Sequence, residues 1–273
     1  MTTQLLIYES AVPVSSQRHA KWSVEVGADY AFSRSVNAVP LMAVEFLPAA
    51  TEYAIVFAAE GDHLLPAAIL GMRGKENLFL SADNKWQARY IPAFVRRYPF
   101  VFSSSADGAT FTLCIDEAFK GFNQAGRGQR LFGDDGKPTP YTDNVLNFLR
   151  EYQAQFVRTQ AFCKKLKELD LLEPMQAQIT TPTGERVSLT GFLGIDRKKI
   201  RALSGEALAS LAVNDDLESI YLHLYSMRNF DEVKNRFLTL RSAEAQAAPP
   251  AVASTESEPA ARGGKSGSKQ SKA

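Results

Sequence analysis

The stretch ATFTLCID, residues 109–116, decides the fold class because its apolar and polar side chains alternate. Every second residue from Phe111 to Ile115 is apolar, and this period of two is typical of a strand that buries one face. The turn-forming residues 106–108 come immediately before it, and the apolar Phe100 precedes that turn. The sequence therefore predicts a β-hairpin across the turn.

Further strands are predicted upstream of this hairpin, where short apolar runs alternate with turn residues. One pair is expected at residues 41–46 and 53–58, on either side of Pro48. Another pair is expected at residues 67–72 and 77–81, around a charged turn. Strands therefore dominate the predicted structure of the N-terminal half.

The C-terminal half is predicted to be mainly helical after a glycine-rich loop at 121–140. Apolar residues recur at helical spacing from Asp143, with Thr142 as the expected N-cap, until Pro174 ends the pattern. A short hairpin and several helices are expected to follow. The hairpin strands are predicted at 176–181 and 186–189, and the helices at 196–202, 205–213, 216–227 and 230–240.

Strands followed by helices favour the α+β class, with a mostly antiparallel sheet built from the N-terminal half and packed by the C-terminal helices. In the third of the late helices, the residues expected to face the core are Leu217, Ile220, Tyr221, Leu224 and Tyr225. From residue 242 the chain contains no aromatic residue and cannot bury enough apolar surface to offset the entropy of ordering. The sequence thus predicts one domain over 1–241 and a disordered low-complexity tail over 242–273.

Composition excludes several classes of protein. With 45% hydrophobic and 22% charged residues, the chain resembles a globular domain rather than a fibrous or fully disordered one. Its 31 Lys and Arg residues balance 30 Asp and Glu residues, so no strong field attracts nucleic acid and no nucleic-acid partner is expected. No apolar stretch reaches the roughly 18 residues of a membrane span, and the start lacks a secretory leader. We therefore expect no membrane span and a cytoplasmic location.

The sequence contains no motif for a metal, a cofactor or a nucleophile. Its three histidines are isolated from one another, and Cys114 and Cys163 lack the paired spacing of a zinc site. Both thiols are expected to be buried and inert. The glycine-rich loop lacks the third glycine of a dinucleotide fingerprint, because Leu131 occupies that position. We therefore predict no catalytic residue, no metal and no cofactor.

The densest cluster of candidate binding residues is WQARYIPAFVRRYPF, residues 86–100. Pro92 suits the first turn of a short helix that Pro99 ends, and aromatic residues recur every four positions. Beside that row, a guanidinium group can grip a carboxylate or phosphate and stack on a ring. The alternative is that the rings pack in the core and the arginines pair with acids elsewhere. The predicted ligand-binding residues are Trp86, Arg89, Tyr90, Arg96, Arg97 and Tyr98.

The chain also resembles the SapC family of bacterial proteins, which is associated with surface-layer systems. The likeness runs from about residue 12 to residue 240, and its most specific part is Arg-Arg-Tyr-Pro-Phe at 96–100. Ala54 departs from the proline expected at its position. Other matching segments are Val39-Pro40-Leu41, Glu45-Phe46, Tyr53-Ala54-Ile55-Val56-Phe57, Leu70-Gly71, Glu76-Asn77-Leu78-Phe79, Trp86, Cys114-Ile115-Asp116, Leu131-Phe132 and Gly191-Phe192.

The resemblance implies a role in surface-layer formation or surface-protein biogenesis, without an assigned reaction or catalytic set. Family members also accompany halogenase-like and cupin-like proteins in bacterial genomes, which would fit a peptide-modification setting. We therefore predict an accessory protein of such a system that binds a protein or peptide partner through the stretch 86–100, without catalysis. The alternative is an enzyme that acts on an anionic small molecule through the same Arg-rich site. The oligomeric state is not predicted.

Overall fold

The computed structural model describes residues 5–61, 63–105, 107–181 and 184–247. Its strands are β1 (Ala11–Pro13), β2 (Ser23–Val24), β3 (Ala38–Pro40), β4 (Ile55–Glu60), β5 (His63–Ile69), β6 (Phe100–Ser104), β7 (Phe111–Asp116), β8 (Phe122–Asn123), β9 (Gln129–Arg130), β10 (Leu172–Thr180) and β11 (Arg186–Ile195). Its α-helices are α1 (Ser16–His19), α2 (Phe46–Ala49), α3 (Ala93–Arg96), α4 (Pro140–Glu168), α5 (Arg197–Arg201), α6 (Gly205–Val213), α7 (Asp216–Ser226) and α8 (Phe230–Ala247).

The main sheet is antiparallel and has five strands in the order β10-β11-β4-β5-β3. Its central strand β4 reads as a continuous apolar run, and Ile55, Val56 and Phe57 are all buried. Helix α4 packs against β5, while α7 packs against both β4 and β11. Because the helices and the sheet each bury an apolar face against the other, they enclose one large core. The structure confirms the predicted α+β class.

Two smaller sheets complete the fold. The first has the order β1-β7-β6, and its β6–β7 hairpin places Phe100 opposite Ile115, which confirms the hairpin predicted around 109–116. The second has the order β8-β2-β9, and its outer strands β8 and β9 lie in the region predicted to be a loop. A glycine is needed there, because Gly128 has a φ of 79° and a Cβ atom on it would lie 2.2 Å from the Val24 carbonyl oxygen. The glycine thus allows β2 to approach closely.

Helix α4 spans 29 residues and begins earlier than predicted. Thr139 is its N-cap, with a side-chain oxygen that accepts from the Thr142 backbone N–H, and Pro140 occupies the first helical position. The prediction of Thr142 as the cap was wrong, because its hydroxyl is used to donate to the Leu131 carbonyl at 2.7 Å. The same bond fastens the start of the helix to the preceding loop.

The strand predicted at 41–46 does not form. Ala43–Glu45 is instead a 3₁₀ turn that continues into α2, and its first turn is closed by the Glu45 carboxylate, which accepts from the Met42 backbone N–H at 2.8 Å. A side chain that bonds its own backbone three residues away offers the chain an alternative to a strand. Strand β4 pairs instead with β5 and β11. The stretch predicted as a strand at 77–81 is not part of a named strand, and it contains the isolated bridge between Leu80 and Trp86.

The C-terminal half contributes to the main sheet, whereas the prediction built that sheet from the N-terminal half. The predicted hairpin exists but is longer, and its strand β11 pairs with β4 at Phe192 and Leu193. Helix α6 matches its predicted bounds and is capped by Ser204, which accepts from the Ala207 N–H. Helix α8 continues past residue 242 to Ala247, and residues 248–273 of the predicted tail lie outside the described residues.

Across the described ranges, no helix is both long and apolar enough to cross a bilayer.

The predicted inward face of α7 was right for Ile220, which is buried, and for Leu217 and Leu224, which pack against the core, but wrong for its two tyrosines. Tyr221 and Tyr225 are about half exposed, whereas His223 is fully buried. Its Nε2 accepts from the Ile195 backbone N–H at 3.0 Å, and its Nδ1 donates to the Ile55 carbonyl oxygen at 2.9 Å. The imidazole therefore joins β4 and β11 where the two strands meet α7. Burial lowers the pKa of His223 to about 4.

We expect stability to fall in weak acid because the unfolded chain protonates His223 near pH 6.5 and the folded chain only near pH 4. Between pH 7 and pH 5 this difference lowers the free energy of unfolding by about 2 kcal/mol. Urea denaturation at pH 7 and at pH 5 measures this change in the free energy of unfolding. His223→Gln should weaken the dependence on pH, whereas His63→Gln, at an exposed position, should not. Equal dependence in both variants would contradict this role.

Candidate functional site

The stretch 86–100 does not form one continuous binding surface. Only Ala93–Arg96 is helical, with Pro92 as its N-cap, Arg97 as its C-cap and Pro99 two residues after that cap, so the four-residue aromatic spacing does not follow a helix. Arg97 and Tyr98 are buried, Trp86 and Tyr90 are partly buried, and Arg89 and Arg96 are exposed. The six predicted binding residues therefore divide between the core and two different surfaces.

Arg97 belongs to the core. Only 4% of it is exposed, and its guanidinium carbon lies 4.4 Å from the centre of the Phe94 ring, 4.7 Å from that of Tyr152 and 5.6 Å from that of Tyr8. A guanidinium group packs well against aromatic faces because it is planar and weakly hydrated. Burial raises the pKa of Tyr152 to about 12, and the nearby positive charge of Arg97 opposes that rise. Arg97 therefore packs against three aromatic rings in the core.

Tyr98 is also a packing residue. Its ring stacks on Phe32 with centroids 4.0 Å apart, and its hydroxyl donates to the Asp116 carboxylate at 3.2 Å. The same carboxylate accepts from the backbone N–H groups of Glu9 and Ser10, each at 2.9 Å. Tyr98 and Asp116 thus fasten the N-terminal segment to β7.

Trp86, Arg89 and Tyr90 are held by the turn before β4. The indole N–H of Trp86 donates to the Tyr53 hydroxyl at 2.8 Å, and that hydroxyl donates to the Tyr90 carbonyl oxygen. The Glu52 carboxylate accepts from the backbone N–H groups of Arg89 and Tyr90 at 2.7 and 3.1 Å. These bonds fix the backbone while leaving the Arg89 side chain exposed.

Tyr90 and Arg96 meet at a cavity of about 270 Å³ between the 3₁₀ turn, α3 and α4. Its size is just below the usual range of ligand pockets, about 300–1,000 Å³. Apolar side chains make up much of the wall, with a few polar groups among them. The lining residues are Met42, Val44, Glu45, Tyr90, Ala93, Arg96, Phe148, Glu151, Tyr152 and Gln155. We call this space the Arg96 cavity.

Glu45 organises one wall of the Arg96 cavity. It is 4% exposed, and its carboxylate accepts from the Met42 N–H at 2.8 Å, the Ala93 N–H at 2.7 Å and the Tyr90 hydroxyl at 2.7 Å. Burial raises the pKa of Glu45, while these three donors and the charge of Arg96 act in the opposite direction. The carboxylate also helps to raise the pKa of Tyr90, although burial contributes more to that rise.

Arg96 is a fixed cation at the mouth of the Arg96 cavity. Its Nε donates to the Ile91 carbonyl oxygen at 2.9 Å, and its guanidinium carbon lies 5.4 Å from the Phe148 ring centre and 5.7 Å from that of Tyr90. Within the described part of the chain, no carboxylate lies close enough to form an ion pair with it. The guanidinium group also interacts with the Tyr90 hydroxyl, so it is already oriented beside the cavity for binding an anion.

Two further polar groups of the lining residues lack hydrogen-bond partners among the described residues. They are the Tyr152 hydroxyl and the Gln155 side-chain oxygen, and both atoms are buried. A buried polar group without a partner destabilises the fold by about 1–3 kcal/mol, so such groups are uncommon in core packing. The Tyr152 hydroxyl can donate a hydrogen bond and the Gln155 oxygen can accept one. A peptide amide offers the complementary acceptor and donor.

Sequence reasoning named Tyr90 and Arg96 but missed the rest of the cavity. Glu45 was detectable, because it is the only charged residue in the apolar run LMAVEFLPAA at 41–50. A carboxylate in such a run is rarely buried without partners. Phe148, Tyr152 and Gln155 gave no local signal, since their approach to Arg96 depends on how α4 packs.

The glycine-rich loop and the two cysteines do not add to the site. Two arginines of the loop, Arg127 and Arg130, form exposed ion pairs with Glu25 at 3.0 Å and Asp134 at 2.7 Å. Cys114 and Cys163 are buried as expected, and burial raises the pKa of the Cys163 thiol to about 12. Among the described residues, no group of three or more His, Cys, Asp or Glu side chains could hold a metal ion.

The two neighbouring arginines should differ strongly in their effect on stability. Arg97→Ala removes a buried side chain and its ring contacts, and we expect it to lower the free energy of unfolding by about 3 kcal/mol. Arg96→Ala should lower the free energy of unfolding by less than about 1 kcal/mol, because that side chain is exposed. Urea denaturation measures both variants. Equal losses would show that Arg96 is also a structural residue.

Comparison with known proteins identifies the family. The SapC family model matches residues 14–233, which is most of the chain and includes every residue of the Arg96 cavity. No curated protein and no solved structure matches the chain. The protein belongs to the SapC family.

Proposed function

We propose that this SapC-family protein is an accessory protein that binds a protein or peptide segment without catalysis, with the Arg96 cavity as the anchoring site. The observation that carries the proposal is a guanidinium group held by one hydrogen bond and two rings, with no ion-pair partner in the described chain. Such a group binds a carboxylate with little loss of side-chain entropy.

The rest of the cavity suits a peptide better than a bare anion. Met42, Val44 and Phe148 provide an apolar wall for a side chain, while Tyr152 and Gln155 carry a donor and an acceptor without partners. A peptide supplies both a carbonyl oxygen and an N–H group, and a small opening of the cavity would bring them to these atoms. The expected ligand is thus a segment with an acidic group next to an apolar side chain.

The biological setting belongs to the same proposal. The association of SapC proteins with surface-layer systems and with peptide modification supports an accessory role in one of them, and we place that role in the cytoplasm. In this setting the protein presents or retains a substrate segment for another component.

A catalytic alternative is supported by one observation. Glu45, a carboxyl group with a raised pKa, lies in the same cavity as Arg96 and receives the Tyr90 hydroxyl bond. An enzyme that binds an anionic small molecule at Arg96 could use such a carboxyl group for proton transfer. In that case one small carboxylate or phosphate would stabilise the protein sharply in a thermal-shift screen, and Arg96→Ala would abolish the stabilisation.

Selection from a displayed library of random seven-residue peptides tests the binding proposal. Peptides enriched on the wild-type protein should contain an acidic residue. Calorimetry should show binding at least about 10-fold weaker to Arg96→Ala, because a hydrogen bond to a charged group contributes about 1.5–3 kcal/mol.

The matched control is Arg89→Ala, since Arg89 is exposed in the same stretch but does not line the cavity. This variant should bind the selected peptides within about two-fold of wild type. Selection that yields no peptide dependent on Arg96, with both variants folded, would refute the proposal.

A further inference from the structure

A second cavity lies on the same side of α4 as the Arg96 cavity and shares a wall with it. It has a volume of about 200 Å³, and Val44 lines both spaces. Helix α4 contributes to both, with Phe148 and Tyr152 at the first and Arg158 and Phe162 at the second. We call the two cavities together the α4 groove.

The rim of the α4 groove is unusually apolar for a surface. Val44 is 55% exposed and Leu47 is 62% exposed, and the two side chains lie on consecutive turns of the segment opposite α4. Exposed aliphatic side chains grouped beside a concave surface mark sites of protein interaction more often than isolated ones do. The groove is therefore suited to cover the apolar side chains of a bound segment.

The two ends of the α4 groove offer side chains of opposite charge for ion pairing. At the first end Arg96 has no ion-pair partner among the described residues, while the acids beside it already accept hydrogen bonds, Glu45 from three donors and Glu151 from the Gln155 amide at 2.8 Å. At the second end Asp215 and Glu218 provide acids. Arg158 lies 3.8 Å from Asp215 and so partly neutralises it, but Glu218 is exposed and makes no ion pair or hydrogen bond with the described residues. A complementary segment would carry an acid at one end and a base at the other.

The length of the groove limits the length and the conformation of a segment that can bind in it. From Phe148 to Phe162, α4 rises by about 21 Å at about 1.5 Å per residue. An extended peptide covers this length with about six or seven residues at about 3.3 Å each. A helix is about 10–12 Å across and does not enter cavities of this size, whereas single side chains do.

From these observations we infer that the α4 groove binds an extended peptide segment of a partner protein, about six or seven residues long. The segment carries an acidic side chain that pairs with Arg96, a basic side chain that pairs with Glu218, and apolar side chains between them that contact Val44 and Leu47. This inference rests on the proposed function and adds the charge pattern and length of the ligand.

Reversal of one charge tests the inference. The same seven-residue library is selected on wild type, on Glu218→Lys and on Glu173→Lys, an exposed acid on β10 that serves as the control. Wild type and Glu173→Lys should enrich peptides with an acid and a base near opposite ends, in either direction. Glu218→Lys should instead enrich peptides with acids at both ends.

Calorimetry on one wild-type peptide gives the size of the effect. Glu218→Lys should weaken its binding about five-fold, as expected for the loss of an exposed ion pair and the repulsion that replaces it. If Glu218→Lys enriches the wild-type pattern while Arg96→Ala still abolishes binding, the groove inference is wrong and the proposed function stands. If Arg96→Ala has no effect, both are wrong.

Discussion

The buried carboxylate of Glu45 is the interaction on which the site depends. It accepts from the Met42 N–H of its own turn, from the first N–H of α3 and from the Tyr90 hydroxyl, so it joins the 3₁₀ turn to the segment 90–93, which is remote in sequence. Ala43, in the same turn, donates its backbone N–H to the Thr159 hydroxyl of α4 at 2.9 Å. Without the carboxylate, the two largely buried backbone donors would lose their partner, at about 1–3 kcal/mol each. The position of this wall of the cavity therefore depends on the Glu45 carboxylate.

The short helix α3 separates two arginines that are adjacent in sequence. Arg96 lies on its outer side at the cavity, while Arg97 is enclosed by Phe94, Tyr152 and Tyr8. Tyr152 touches both environments, because it lines the cavity and also contacts the Arg97 guanidinium. The same ring thus forms part of the binding wall and part of the core, so the wall is stiffened by core packing.

Sequence patterns predicted the structure correctly where neighbouring residues determine the conformation of an element. The alternation in 109–116 and the Ser204 cap before α6 both predicted their elements, since strand faces and helix caps depend on near neighbours. The patterns failed at 41–46, where a Glu45 bond overrides hydrophobic spacing, and for the two tyrosines of α7, where His223 is buried by its bonds to β4 and β11. At the site, Arg96 and Arg97 look equivalent in sequence, and only the packing of α4 distinguishes them.

Helix α4 fixes the distance between the two cavities of the α4 groove. One continuous helix carries side chains to both cavities, so the separation of their anchoring points is set by helical rise and not by a loop. A single residue inserted between Gln155 and Arg158 would rotate the second set of side chains by about 100° and turn it away from the first. For the proposed peptide segment, length is then constrained more strictly than composition, because conservative exchanges of apolar residues leave the spacing intact whereas a change in length does not.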